Sequence, residues 1–274
     1  MNTTLWMAIP AFVLLMGLEW GVGKRRGQQN YGGKDTAASL SMGLGSLVVG
    51  SCIHGAVLAL YFLLHAQRLF ELGSGWEVWL LTVVVVDFFF YWYHRASHEV
   101  RFLWAAHVNH HSSEHLNLST ALRQSWTGPW TRVLFFWPLP LLGFDPLMIM
   151  AVGSLSTIAG FWVHTEHIRR LGPLEWLFNT PSHHRVHHGS NPQYLDRNHG
   201  NLFILWDRLF GTFEPEGERV RYGLTRNIQT FNPVYIAFHE WAEMIHDVRS
   251  APSLGVALAH VFRSPDWVAK YRAE

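Results

Sequence analysis

Cysteine and charged residues are scarce in this sequence. Its 274 residues include a single cysteine, Cys52, which excludes a disulfide framework and a metal site built from thiolates. Charged residues make up 15% of the chain, against about 25% in soluble domains, while hydrophobic residues make up 49%. The mean hydropathy of +0.06 is low for a protein made only of membrane helices, so we expect a membrane part joined to a polar part. The net charge of +1 argues against nucleic acid as a partner.

Several motifs of metal and redox proteins are missing as well. No HExxH motif occurs, which argues against a zinc hydrolase, although Glu99 follows His98 and Glu166 lies within HTEH. No internal repeat is found beyond the histidine motifs, which argues against a metal transporter. Because the chain has neither a G-x-G-x-x-G fingerprint nor a CxxC pair, we expect electrons for any redox reaction to come from a separate partner or a diffusible reductant.

Four apolar stretches predict membrane helices. Residues 4–22, 37–64 and 76–93 are each long enough to cross a bilayer as a helix. A signal peptide is the alternative for the first stretch, but no basic segment precedes it and no small-residue cleavage site follows it. The fourth stretch, 133–163, is interrupted by three prolines and a glycine, so we expect a hairpin or two half-spans there. The sequence therefore predicts an all-α integral membrane bundle of about four spans.

The basic residues predict the orientation of this bundle. The short loop 24–34 carries four Lys and Arg residues, and such loops lie in the cytosol. Two further spans return the chain to the cytosol before His94, and the hairpin returns it before His164. We therefore expect a multi-pass protein with a cytosolic helical cap that holds the polar chemistry.

Histidine is the residue in excess. Of 18 histidines, 13 lie between His94 and His199. HRASH, HVNHH and HRVHH place imidazoles three or four residues apart, on one face of a helix, and HTEH adds another pair. Such sets can present several imidazoles to one metal ion. The strong candidates are His94, His98, His107, His110, His111, His164, His184, His187 and His188.

The number of these histidines predicts two metal ions. Nine imidazoles exceed the ligands of one ion and suit two, with four or five nitrogens each. Imidazole suits iron, zinc, copper and nickel. Without thiolates a structural zinc site is not expected, and the carboxylates of ferritin-type di-iron proteins are missing. A solvated polar face or a set of buried structural histidines is the plain alternative.

The histidine motifs resemble those of the fatty acid hydroxylase (sterol desaturase) superfamily. HRASHE, HVNHHSSE with NLSTALRQS, HTEH, NTPSHHRVHH and WDRLFGTF carry the resemblance, and they are most similar to the alkylglycerol monooxygenase group. The resemblance implies a membrane-bound non-haem di-iron oxygenase that hydroxylates lipid alkyl or acyl chains or cleaves an alkylglycerol ether. A sterol or fatty-acid desaturase of the same superfamily is the alternative, and a membrane metal-binding or transport protein is a more distant one.

The resemblance also implies cofactors and partners. They are two Fe²⁺ ions, which zinc can replace in a purified protein, together with O₂, a membrane lipid substrate and an external electron donor. Tetrahydrobiopterin and a cytochrome b5- or ferredoxin-type protein are the candidate donors.

Carried over residue by residue, the metal ligands fall on the nine histidines named above. Six further residues are candidates for a ligand or for a position that supports one: His183, His167, His199, Asp87, Glu99 and Glu166. Asp87 lies in an apolar span, where a carboxylate is costly unless paired, and we expect it to accept a ring N–H of a ligand histidine. A purely structural hydrogen bond between helices is the alternative.

The same patterns divide the chain into three regions. We expect N-terminal transmembrane helices with their loops in residues 1–75 and a fatty acid hydroxylase-type catalytic domain in 76–225. Residues 226–274 are expected to form amphipathic helices lying on the membrane or on the cap.

Overall fold

Three long helices form the apolar half of the molecule. The computed structural model describes residues 3–272, and α1 (Thr3–Arg25), α2 (Gly33–His65) and α3 (Trp76–Glu99) coincide with the three predicted spans. Each is long and apolar enough to cross a membrane. All three continue past the apolar stretches, and α3 runs on through the HRASHE motif. The predicted all-α class is confirmed, since the described residues contain helices and only isolated β-bridges.

The fourth apolar stretch folds back on itself as a hairpin. After the short helices α4 (Arg101–Trp104) and α5 (Val108–His111), it contains α6 (Gly128–Phe136), α7 (Pro138–Leu141) and α8 (Pro146–Ala159). The Asp145 carboxylate starts α8 by accepting hydrogen bonds from the amides of residues 147 and 148. The Leu69 amide donates to the Leu141 carbonyl at 2.7 Å. The tip of the hairpin therefore lies beside the α2–α3 loop, at the end of α3 remote from His94.

The apolar core lies between α2, α3 and this hairpin. It includes Tyr61, Val86, Leu139 and Ile149, all buried. Nearer its N-terminus, α2 passes close to the chain at Leu122. A Cβ added to Gly43 would lie 2.7 Å from the Leu122 carbonyl oxygen. Glycine at this position allows the polar half of the molecule, which we call the cap, to approach α2.

The polar half consists of short helices and long connections. It contains α4, α5, α9 (Pro181–His187) and α10 (Leu205–Phe210). Ion pairs of buried arginines hold these connections: Arg123 Nη1 lies 3.0 Å from Asp35 Oδ1, and Arg185 Nε lies 2.7 Å from Glu216 Oε1. Since Asp35 is in the first turn of α2, the first of these pairs ties the cap to a long helix.

Three helices complete the described chain: α11 (Pro233–Ser250), α12 (Leu254–Phe262) and α13 (Pro265–Tyr271). The buried Arg101 of α4 forms ion pairs at 2.6 Å with both Glu240 and Asp247 of α11. Leu254, Leu258 and Phe262 are exposed along one side of α12, as expected of an amphipathic helix. The predicted region boundaries at 75 and 225 remain predictions.

Candidate metal centre

The nine predicted histidines come together in two adjoining clusters. The first, which we call the five-histidine cluster, consists of His94, His98, His107, His111 and His187. The second, the four-histidine cluster, consists of His110, His164, His184 and His188. Within each cluster the ring nitrogens lie within 4.8 Å of one another. The clusters touch, because the rings of His111 and His188 stack with centroids 4.5 Å apart.

Helical spacing explains how each motif contributes. His94 and His98 occupy successive turns at the end of α3, and HRVHH forms the end of α9. In HVNHH, His107 directly precedes the single turn of α5, and His110 and His111 end that turn. His107 and His111 join the five-histidine cluster, whereas His110 joins the other cluster. His164 follows α8, so the hairpin delivers it to the four-histidine cluster.

The inner ring nitrogens face one another at short distances. In the five-histidine cluster, His107 Nε2 lies 3.0 Å from His94 Nε2 and 3.1 Å from His111 Nε2. In the four-histidine cluster, His164 Nε2 lies 2.8 Å from His184 Nε2 and 3.3 Å from His110 Nε2. The Nε2 atoms thus converge, as ligands around a common centre do.

Backbone carbonyls fix the tautomers of several rings. His94 Nδ1 donates to the carbonyl of residue 199 at 2.7 Å, and His164 Nδ1 donates to that of residue 160 at 2.9 Å. His187 Nδ1 donates to the carbonyl of residue 197 at 3.0 Å, and His110 Nδ1 to that of residue 123 at 3.3 Å. A carbonyl only accepts, so the proton sits on Nδ1 and the lone pair on Nε2 points inward. Metal-binding histidines commonly have such outer partners.

Burial keeps these rings neutral. It lowers the pKa of His110 to about 4 and is also the main cause of a much lowered pKa at His164, with the neighbouring histidines adding to it. The same holds for His107, His111, His184, His187 and His188. A neutral imidazole is the form that binds a metal ion.

These facts together fit a metal centre. His110 and His164 each present a lone pair at Nε2, and two lone pairs 3.3 Å apart cannot hydrogen-bond to each other. The Nε2 atoms of His98 and His187 are buried without a hydrogen-bond partner. Leaving a buried polar atom unpaired costs about 1–3 kcal/mol, a cost that a shared cation removes. Imidazole nitrogens in groups of five and four suit iron or zinc, and each group leaves room for a further ligand.

The prediction that Asp87 accepts a hydrogen bond from a ligand histidine is wrong. Its carboxylate accepts hydrogen bonds from the amides of Leu202 and Phe203, at 2.9 and 3.1 Å, and from the indole N–H of Trp206 at 3.0 Å. No histidine ring among the described residues donates to it. Asp87 therefore holds the segment that follows His199, and the His199 carbonyl in turn accepts the His94 proton.

The other five supporting candidates have different surroundings. His199 is fully buried, with its ring 5.0 Å from that of His98, and it contributes its carbonyl to His94. His183 lies outside both clusters, where burial lowers its pKa to about 4 and Glu175 is 4.0 Å away. His167 also lies outside both clusters and contacts α1 near Gly23. 

The two glutamates of the sequence motifs face away from the clusters. Glu99 forms an ion pair with Arg95 at 2.8 Å, and Glu166 accepts a hydrogen bond from the Tyr222 hydroxyl at 3.2 Å. In neither case does the carboxylate belong to a histidine cluster.

Sequence reasoning missed Asp207, the acid of the WDRLFGTF motif. Its carboxylate accepts hydrogen bonds at 2.7 Å from the amides of His199 and Gly200 and from the Thr212 hydroxyl. It therefore fixes the carbonyl that holds His94. Its place in the WDRLFGTF motif was the one signal in the sequence that could have identified it, because its hydrogen-bond partners become neighbours only in the fold.

An apolar cavity leads to the clusters from the long helices. Its volume is about 520 Å³, and α1, α2, α3, α6 and α8 line it. Leu5, Ile9 and Phe12 of α1 contribute to its wall. Histidines of both clusters also line it: His94, His107, His110, His164 and His184. An elongated apolar molecule can thus reach the ring nitrogens.

Known proteins resemble this chain over the same region. Residues 79–212, which fall inside the predicted catalytic region, match the family model described as fatty acid hydroxylase. The chain is 43% identical to alkylglycerol monooxygenase of Xenopus tropicalis, over 85% of this chain and 52% of the relative. It is 41% identical to alkylglycerol monooxygenase of Homo sapiens, over 95% of this chain and 59% of the relative.

A bacterial relative is more distant. Identity to the ornithine lipid hydroxylase of Rhizobium tropici is 31%, over 54% of this chain and 46% of the relative. The chain spans about half the length of the curated relatives it matches. No solved structure matches it.

Proposed function

The chain belongs to the fatty acid hydroxylase family, and from that premise we propose that it is a membrane-bound di-iron oxygenase that cleaves the ether bond of alkylglycerols. The nine clustered histidines are the proposed ligands, with one iron ion in each cluster. We also propose that the active site lies on the cytosolic side of a multi-pass membrane domain.

The observation that carries this proposal is the apolar cavity that ends on the histidines. Ligand sites are typically apolar clefts of about 300–1,000 Å³ with a few polar groups, and a cavity of about 520 Å³ fits one alkyl chain. Three of the helices in its wall, α1, α2 and α3, are long and apolar enough to span a membrane, so a lipid can enter from the bilayer. The cluster histidines line the cavity, so the reacting carbon of a bound alkyl chain would lie beside them.

The protein's own residues perform positioning and exclusion of water. The bound ions would supply the activation of O₂ and the oxidation of an unactivated C–H bond. The carbonyls of residues 160, 197 and 199 keep the ring nitrogens aimed inward, and the apolar wall orients the chain and excludes solvent. A separate donor, a tetrahydropterin or two equivalents of a one-electron redox protein, would supply two electrons, and the pterin or water would supply two protons, so that the second oxygen atom leaves as water.

Ether cleavage follows from the position of oxidation. Hydroxylation of the alkyl carbon next to the ether oxygen gives a hemiacetal, which breaks down to a fatty aldehyde and glycerol. Hydroxylation at an alkyl carbon away from the ether oxygen leaves a stable alcohol instead.

A reconstituted assay tests the proposal. Iron-loaded protein in lipid nanodiscs is supplied with hexadecylglycerol, O₂ and either a tetrahydropterin or reduced ferredoxin, and hexadecanal and glycerol are measured. We expect both products in equal amounts, and none from zinc-loaded protein. A double bond or a stable hydroxyl group in recovered substrate would instead identify a desaturase or a chain hydroxylase, and unchanged lipid under all donors would contradict an oxygenase.

A further inference from the structure

One arginine lies in the wall of the apolar cavity, at its histidine end. Arg132 of α6 lines the cavity, and its guanidinium carbon is 6.0 Å from the centre of the Phe90 ring. The Phe90 ring in turn lies 5.3 Å from the ring of His94. The neighbouring Thr131 fixes α6 here through a 3.0 Å hydrogen bond with the Tyr93 hydroxyl. Arg132 and His94 of the five-histidine cluster thus both lie beside the Phe90 ring.

This arginine has no carboxylate partner among the described residues. The three well-buried arginines of the cap are all paired: Arg101, Arg123 and Arg185 lie 2.6, 3.0 and 2.7 Å from carboxylate oxygens. Arg132 has no such ion pair within residues 3–272, and the cavity lining includes no Asp or Glu. Arg132 is half-buried, so its guanidinium group can meet a molecule that occupies the cavity. A cation without a carboxylate partner in a mostly apolar wall is a candidate binding site for an anionic group.

The guanidinium group favours an anionic binding partner. Its planar set of donors matches carboxylate and phosphate oxygens in a bidentate manner. Gln124 and Ser125, just before α6, line the same cavity and add polar groups there.

We propose that Arg132 binds the anionic headgroup, a phosphate or a carboxylate, of a single-chain lipid whose alkyl chain fills the cavity. The headgroup would then lie beside the histidines, so that oxidation takes place near the polar end of the chain rather than at its methyl end. The position of oxidation rests on the proposed function, whereas the binding preference does not.

Two matched ligands test this inference, hexadecylglycerol and hexadecylglycerol 3-phosphate, which differ in one phosphate. Their affinities are measured on purified protein in a neutral detergent, together with turnover. Because a charge-assisted pair is lost, we expect Arg132→Gln to weaken binding of the phosphate form by about ten- to a hundred-fold and that of the alcohol little. Arg132→Lys should keep most of the preference. Arg169→Gln, at an exposed position outside the cavity, is the control.

The two proposals fail in different ways. If Arg132→Gln weakened both ligands equally, or if the wild type did not prefer the phosphate, the headgroup inference would be wrong even with active enzyme. If the preference were present and Arg132-dependent but no ligand were oxidised, the headgroup site would stand and the proposed function would be wrong. A palmitate arm, read by the same assays, distinguishes carboxylate from phosphate as the headgroup.

Discussion

At the scale of single residues, several cluster histidines have an inner and an outer nitrogen with separate roles. The outer nitrogen of His94, His164 or His187 donates to a carbonyl, and the inner one is left with a lone pair. Removal of one ring therefore removes a metal ligand, whereas removal of an outer partner only loosens the orientation of a ring.

The first prediction concerns the inner nitrogens. His110→Ala and His187→Ala, one in each cluster, should reduce O₂-dependent lipid oxidation below detection, because each leaves a coordination position open. His246→Ala, at an exposed position in α11, should retain wild-type activity. Product formation by the purified variants checks this, and full activity of His187→Ala would contradict the ligand assignment.

The second prediction concerns Asp87. Asp87→Asn replaces one acceptor oxygen with an NH₂ group that faces N–H donors, so it should lower the free energy of unfolding by about 1–3 kcal/mol. Activity should fall by about 10–100-fold, since the segment that carries the His199 carbonyl loses its anchor. Asp145→Asn is the matched control, because asparagine caps a helix as well as aspartate does. Equal behaviour of the two variants in thermal unfolding and turnover would show that Asp87 has no special role.

Residue spacing predicted which histidines come together but not how they are distributed between the two clusters. HVNHH lies at the single turn of α5, yet its rings serve both clusters, and this division depends on where the hairpin places His164 and where α9 places His184. Likewise, the partners of Asp87 lie 115 or more residues further along the chain, so periodicity could not identify them.

At the scale of elements, apolar length predicted the long helices well and the cap poorly. The long helices α1, α2 and α3 follow from runs of apolar residues, and the hairpin follows from the prolines and the glycine that interrupt the fourth run. The cap is held instead by ion pairs between distant residues, such as Arg123 with Asp35, which no local pattern specifies.

The third prediction tests the contact between α2 and the cap. Gly43→Ala should destabilise the protein by about 1–3 kcal/mol, because the new methyl group meets the Leu122 carbonyl, a backbone atom that cannot rotate away. Gly55→Ala, in the same helix with nothing within 4 Å, should be neutral or stabilising by up to about 1 kcal/mol. Thermal unfolding in detergent measures both. Matching shifts in melting temperature would mean that α2 and the cap are not in close contact.

At the scale of the whole molecule, the order of spans places all histidine motifs at one end of the bundle. His94 and His98 end α3, and the hairpin tip contacts the opposite loop, so His164 returns to the same end.

The fourth prediction concerns this arrangement. In a Cys52→Ser background, single cysteines at exposed positions are labelled with a membrane-impermeant reagent from either side of the membrane. Gln28→Cys, Arg169→Cys and Arg249→Cys should react from the cytosolic side, and Gln67→Cys from the other. Reaction of Gln28→Cys and Arg169→Cys from different sides would contradict the topology.

If the two clusters hold one metal ion each, the metal content of the purified protein will show it. Elemental analysis of protein made with ample iron should give about two metal ions per chain, mostly iron with some zinc. His187→Ala and His164→Ala, each affecting one cluster, should each lower the content by about one ion, while His246→Ala leaves it unchanged. A wild-type content near zero or one ion per chain would contradict the claim.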